Sequence, residues 1–308
     1  MTPVRTFALP PDALREAARA KAPATVSVCI PCRNEAATVG PIVSQIVSAL
    51  MGGQIPMVDE LLVLDDGSTD ATASVAAAAG ATVVRVSDVL PEAGPGSGKG
   101  NVLWASVAAS VGDVVVWCDG DLLSFTPDYI RRLVAPFLLD ERVGFVKGFY
   151  ERLLDATGEG GGRNTELVAR PLLALLFPEL AGVLQPLGGE YAARRSVLER
   201  VPFAEGYGVE IALLIDIAEL VGARAIVQVD LGVRRHRHRP LRELSSQAAE
   251  IMHAMLRRSG LGPDRLPDMA SLLRVDQDPQ TLRVTERPPL ISMPGYAARA
   301  LHPPGAPR

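Results

Sequence analysis

Between residues 25 and 121 short apolar runs alternate with segments of helical period. The runs are 25–30, 60–64, 82–86 and 114–118, each of strand length. Residues 36–50 carry Val39, Ile42, Val43, Ile46 and Val47 at helical spacing, and residues 71–79 and 101–110 complete the helical set. Gly52, Gly53 and Gly80 are natural helix stops, and Ser68, Thr69 or Asp70 are N-cap candidates. Apolar strands alternating with helices specify a parallel sheet covered on both faces, with right-handed crossovers.

Parallel strands place their carboxyl ends on one edge, where open α/β sheets bind ligands. Three loops leave that edge: 31–35, 65–70 and 119–121. Glu35, Asp65, Asp66, Asp119 and Asp121 should therefore crowd together. So many carboxylates at one rim are costly unless a cation or hydrogen-bond donors meet them. Asp119 and Asp121 end the run Val114-Val-Val-Trp-Cys118, and side chains two apart in an extended segment point the same way. A hard cation such as Mg²⁺ takes one or two carboxylates plus phosphate oxygens, so the pair reads as a metal and nucleotide site, or as a polar turn.

Other loops admit two readings each. Gly94-Pro-Gly-Ser-Gly-Lys-Gly100 is not an NTPase P-loop, since Ala93 and Gly100 replace its first glycine and its Ser/Thr. It remains a phosphate contact through glycines, a helix start and Lys99, or a plain linker. Gly160-Gly-Gly-Arg-Asn-Thr165 suits a small anion, held by backbone N–H groups and Arg163, or is a surface loop. Arg234-Arg-His-Arg-His-Arg239 is a solvated basic turn, or brings one histidine to the aspartates as a third metal ligand. Glu210, ahead of an apolar helix, is a dipole partner or a catalyst.

Beyond Asp121 the pattern becomes mixed. Helices are expected over 127–138, 165–177, 209–221 and 241–257. Strands are expected over 143–149 and 225–233, with strand-like pieces at 183–187 and 191–193 around Gly188-Gly189. The segment past 276, with seven prolines, should be loose or wrap a partner. The expected division is a 1–24 extension, a 25–121 half of alternating strands and helices, a 122–260 mixed half of the same domain, and a 261–308 tail.

The chain of 308 residues is 48% hydrophobic, enough for a large core, and its formal net charge of −4 argues against nucleic-acid affinity. No apolar run reaches membrane-span length and no signal-peptide core is present, so a cytoplasmic protein is expected. Of the three cysteines, Cys29 and Cys32 form Cys-x-x-Cys, but Cys29 lies inside an apolar run, which favours inert core thiols over redox chemistry.

Together, Val28-Cys-Ile-Pro-Cys-Arg-Asn-Glu35, Leu64-Asp-Asp-Gly-Ser-Thr-Asp70 and Asp119-Gly-Asp121 resemble nucleotide-sugar glycosyltransferases of the GT-A fold. Gly98-Lys-Gly100, Gly161-Gly-Arg-Asn-Thr-Glu-Leu-Val-Ala-Arg-Pro171, Leu184-Gln-Pro-Leu-Gly-Gly-Glu-Tyr-Ala192 and Phe203-Ala-Glu-Gly-Tyr-Gly-Val-Glu-Ile211 resemble the actinobacterial glucosyl-3-phosphoglycerate synthases. The resemblance spans about 25–258 and leaves out the tail.

It implies an α/β GT-A fold, with a Rossmann-like parallel or mixed sheet and a mixed acceptor-binding second half. It also implies retaining transfer of glucose from UDP-glucose to the 2-hydroxyl of 3-phosphoglycerate, with Mg²⁺ or Mn²⁺, in a homodimer. Asp121 and His236 would hold the metal. Pro31, Arg33, Glu35, Asp66, Lys99, Asp119, Gly120 and Asp121 would form the donor site. Gly162, Arg163 and Thr165 would bind the phosphoglycerate. Glu210 would contact the sugar, Asp119 would face ribose or metal, and the Leu187 carbonyl would lie near the reacting centre. Asp66 stands where the family often has serine, and Arg33 where it has an apolar residue, so the base stays open. A GDP-mannose-dependent synthase and an inactive nucleotide-binding module are the alternatives.

Overall fold

The computed structural model describes residues 4–53, 56–152, 162–234, 241–261, 266, 270–274 and 277–301. The chain opens with strand β1 (Arg5–Thr6) and helix α1 (Pro11–Arg19). The expected alternation follows: β2 (Val26–Cys32), α2 (Val39–Leu50), β3 (Glu60–Asp65), α3 (Thr72–Ala79), β4 (Thr82–Arg85), α4 (Gly98–Ala109) and β5 (Val114–Trp117). Then come α5 (Pro127–Leu139), β6 (Phe145–Arg152), α6 (Arg170–Leu176), β7 (Tyr191–Arg194), α7 (Arg195–Leu198) and β8 (Phe203–Ala204). The last elements are α8 (Val209–Val221), β9 (Ile226–Arg234), α9 (Leu241–Arg258), β10 (Ala270–Arg274), β11 (Gln277–Leu282), β12 (Glu286–Arg287) and α10 (Pro294–Leu301).

Eight strands form one sheet in the order β1-β9-β6-β7-β5-β2-β3-β4. Every pairing is parallel except those of β7, which runs antiparallel to β5 and β6. Side-chain alternation sorts the strands onto two cores. Cys29, Leu62, Leu64, Val115, Trp117 and Phe145 face α4 and α8, whereas Val28, Ile30, Val63, Val116 and Val146 face α2 and α5. Cys29 and Cys32 fall on opposite faces of β2, so the redox reading of Cys-x-x-Cys has no geometric basis. All three thiols are buried. Among the described residues no helix is long and apolar enough to cross a membrane.

The structure departs from the periodicity in three places. Residues 183–187 are turns rather than a strand piece. Pro186 has no N–H for a ladder, and the carbonyls of Leu184 and Gly188 accept from Arg170 and Lys147 instead. The helix expected over 165–177 begins as a π turn, Thr165–Ala169, with the Arg170 N–H reaching back to the Thr165 carbonyl. Pro171 cannot donate at the next position, which favours the wider turn there.

The third departure is the segment past 276, which is not loose where it is described. β12 pairs antiparallel with β8, and Val284, Leu290 and Tyr296 are buried. The Trp104 indole donates to the Pro288 carbonyl at 2.8 Å. The Arg287 guanidinium is sunk among Asn101, the Ala93 and Gly94 carbonyls, and Glu205.

Candidate active site

The loops after β2, β3 and β5 meet at one edge, as the parallel register requires. Ser68 and Thr72 serve as lacing there. Ser68 Oγ accepts from the Asn34 N–H at 3.0 Å, Thr72 Oγ1 accepts from the Glu35 N–H at 2.8 Å, and Asn34 Oδ1 accepts from the Thr69 N–H at 2.8 Å. The polar-turn reading accounts for these residues. It does not account for Asp119-Gly-Asp121. A Cβ on Gly120 would stand 2.6 Å from the Cys32 sulfur, and the Gly120 carbonyl accepts from Thr38 Oγ1 at 2.7 Å. Only glycine lets this loop lie so close to the end of β2, and the two aspartates are thereby placed at the mouth of the edge.

A cavity of about 480 Å³ opens at this edge. Pro31, Arg33, Glu35 and Asp66 line it from β2 and β3, and Lys99, Asp119, Gly120 and Asp121 from α4 and β5. Tyr207 and Arg283 close it from the far side. Lys99 Nζ lies 2.8 Å from both Asp119 Oδ1 and Glu210 Oε1. Burial alone would pull its pKa down, but the two carboxylates overcome this and hold it well above its ordinary value. Glu210 is thus neither a simple dipole partner nor a free acid, being the counter-ion of Lys99.

Arg33 and Asp66, the two departures from the family pattern, face each other at 3.8 Å. Burial raises the Asp66 pKa, with Arg33 and Arg283 opposing it. The crowding of negative charge is registered by Cys32. Burial first, then Glu35, Asp65, Asp119 and Asp121, push its thiol far up.

That donor chemistry, hard oxygens converging on one cavity, fits a divalent cation such as Mg²⁺ or Mn²⁺. Asp121 is where it would bind, since it lines the cavity while Asp119 is engaged by Lys99. His236 lies outside the described residues. Among those described, no cluster of three metal-ligating side chains is present.

The turn 184–190 lies behind Asp119. Lys147, only 1% exposed in β6, donates from Nζ to the Gly188 carbonyl at 2.6 Å and stands 4.4 Å over the Tyr191 ring. Gly189 presses against Asp119, and a Cβ there would come within 2.6 Å of the Asp119 Cγ. Leu187 sits in the same turn, packed on the core.

Gly162, Arg163 and Thr165 do not line the cavity. They open the π turn beside α9, where Asn164 Nδ2 reaches the Leu244 carbonyl at 3.3 Å. Arg170, on the same helix, donates to the Leu184 carbonyl at 2.7 Å, which joins this segment to the turn at Asp119.

The glycine-rich loop behaves differently from a phosphate cradle. The Gly100 N–H donates to the Glu205 carbonyl at 2.8 Å, and a Cβ on Gly100 would overlap the Ala204 carbonyl. Glycine there seats α4 on β8, while Gly98 and Lys99 are the parts of the motif that line the cavity. Two side chains at or beside the cavity escaped the sequence reading. Lys147 had a signal, being a lone lysine in an apolar strand run. Arg283 had none.

A family model for glycosyl transferase family 2 matches residues 27–201. The chain is 49% identical over 279 residues to the glucosyl-3-phosphoglycerate synthase of Mycolicibacterium smegmatis, covering 85% of this chain and 91% of that protein. In structure it is similar to the glucosyl-3-phosphoglycerate synthase of Mycobacterium tuberculosis in complex with Mn²⁺, UDP-glucose and phosphoglyceric acid. The TM-score is 0.84 at 44% identity, over 95% of this chain and 100% of that one. The same enzyme with Mg²⁺ and UDP gives 0.82 at 44% identity, over 94% and 99%. The fold and the acidic edge therefore define a GT-A glycosyltransferase, and the chain belongs to glycosyl transferase family 2. Within that family it stands among the glucosyl-3-phosphoglycerate synthases.

Proposed function

We propose that the chain transfers glucose from UDP-glucose to the 2-hydroxyl of 3-phosphoglycerate with retention of configuration, aided by Mg²⁺ or Mn²⁺. The observation that carries this reading is the convergence of all eight expected donor positions on one cavity, next to the Gly189 turn that adjoins the expected acceptor segment. On this reading residues 25–121 serve as the donor half and 122–260 as the acceptor half of one domain.

Asp121 would hold the metal together with His236, and the bound ion would neutralise charge developing on the leaving diphosphate. Pro31, Arg33, Glu35 and Asp66 would frame the nucleoside. Lys99 fixes the Asp119 carboxylate through one hydrogen bond while Glu210 balances its charge, so Asp119 is pre-oriented before the donor arrives. Lys147 steadies the turn that carries the Leu187 carbonyl towards the reacting centre. Gly162, Arg163 and Thr165 would receive the phosphoglycerate, with Arg163 as the bidentate grip. With no protein nucleophile assigned, the leaving diphosphate itself would accept the acceptor's proton on the front face.

We further infer a cytoplasmic homodimer, because both substrates are phosphorylated metabolites and because Leu167 and Leu175 are exposed on the acceptor half. The test is a donor-by-acceptor screen that pairs UDP-glucose, GDP-glucose and GDP-mannose with 3-phosphoglycerate and glycerol 3-phosphate, with and without Mg²⁺. Nucleotide release should need UDP-glucose, 3-phosphoglycerate and metal together, and the product should be the α-glucoside. Asp121→Ala should abolish turnover. Preferential use of GDP-mannose, or full activity of Asp121→Ala, would overturn the reading.

A further inference from the structure

The charges around the donor cavity do not balance for an anionic ligand. Four carboxylates line it: Glu35, Asp66, Asp119 and Asp121. Among the described residues three cations line it too, but two of them are engaged. Arg33 faces Asp66 at 3.8 Å, and Lys99 is held 2.8 Å from both Asp119 and Glu210. Arg283 differs. Among the described residues its guanidinium forms no ion pair, and its Nε donates to the neutral Ser97 Oγ at 3.2 Å.

Its backbone is fixed by α9, where Glu250 is 5% exposed. Glu250 Oε1 accepts from the Arg283 N–H at 3.0 Å while Oε2 accepts from the Tyr207 N–H at 2.8 Å. One buried carboxylate thus ties together both chain segments that close the far side of the cavity. Next to Arg283, the Thr285 hydroxyl donates to Glu205, and β12 pairs with β8.

We propose that Arg283 is a donor-binding residue, supplied by the C-terminal segment, whose guanidinium receives the diphosphate of the nucleotide sugar. This rests on the donor reading given above. A diphosphate brings further negative charge to a rim already dense in carboxylates, so beside the metal it needs a cation not locked in an ion pair, and Arg283 acts on Asp66 only after the paired Arg33. The planar fork of a guanidinium grips phosphate oxygens two at a time. Glu250 fixes the backbone beneath Arg283 and Ser97 holds its Nε, so the side chain stands at the cavity wall before the ligand arrives.

The test measures binding of UDP and of uridine to the full chain with Mg²⁺, by calorimetry. Arg283→Ala should weaken UDP binding about tenfold or more and leave uridine within about twofold, because only the phosphates lose a charge-assisted contact. Arg283→Lys should recover part of the UDP affinity. If the alanine variant does not fold, Arg283→Gln, which keeps a donor for Ser97, serves in its place. Equal UDP affinity in variant and wild type overturns this inference alone. So does an equal loss for UDP and uridine, which would put the guanidinium on the nucleoside. Failure of the wild-type chain to bind UDP at all overturns the donor reading and this inference with it.

Discussion

Replacing Lys147 with methionine is predicted to change stability in a way that depends on pH. The ammonium is buried, with one carbonyl and one ring face as its neighbours. Burial lowers its pKa to about 8 from an ordinary 10.5, and Glu210 and Glu190 oppose that only in part. Between those two values the folded chain has released a proton that the unfolded chain still holds, so this group's contribution to stability rises with pH across the window. Below it both states are protonated and the full cost of burying the charge is present. At 1.36 kcal/mol per unit, going from about pH 7 to about pH 9.5 should favour the wild type by about 2 kcal/mol.

Methionine fills a similar volume without a charge, but leaves the Gly188 carbonyl without its donor, at about 1–3 kcal/mol. The variant should therefore be near neutral at low pH and clearly destabilised relative to wild type at high pH. The buried thiols also shift upward, Cys29 to about 12, and disfavour the folded state in alkali. They are the same in both proteins, so they cancel in the comparison. Urea unfolding followed by the fluorescence of Trp104 and Trp117, both 1% exposed, should show the midpoint gap move by about 0.5–1 M between the two pH values. A gap that stays constant would refute the reasoning, for it would mean that Lys147 titrates normally.

Two further outcomes follow from the geometry. Gly189→Ala should drive the Asp119 carboxylate off Lys99, cutting kcat about tenfold or more while costing about 1–3 kcal/mol of stability; unchanged turnover would show that Asp119 needs no such fixing. Arg163→Ala should raise the KM for 3-phosphoglycerate about tenfold or more with the UDP-glucose KM nearly unchanged. Equal effects on both would remove Arg163 from the acceptor site.

The first half, residues 25–121, was legible because its signals are local. Apolar runs, helix stops such as Gly80 and the Asp-rich turns each lie within a few residues, and parallel pairing then fixes one common edge. What pairs across long separations was not legible. Nothing near Glu210 announces Lys99, and nothing in the run 191–193 announces that β7 enters antiparallel between β5 and β6. The C-terminal prolines read as a tail that is loose or wraps a partner, yet the Pro288 carbonyl accepts from an indole and Arg287 fills a polar slot lined by Asn101. Proline content limits backbone freedom without saying what the chain packs against. The segment at Gly162 to Thr165 was read from glycines and Arg163, but the π turn needed Pro171 to be weighed as an interruption.

The late position of Arg283 in the chain has a consequence for biosynthesis. The eight-stranded sheet, helices α1 to α9 and the acidic rim are all encoded ahead of it, so a chain emerging from the ribosome can assemble its framework while one wall of its cavity is still unmade. The growing polypeptide thus passes through a stage that is architecturally mature yet has an open substrate chamber, and translation past Arg283 closes it.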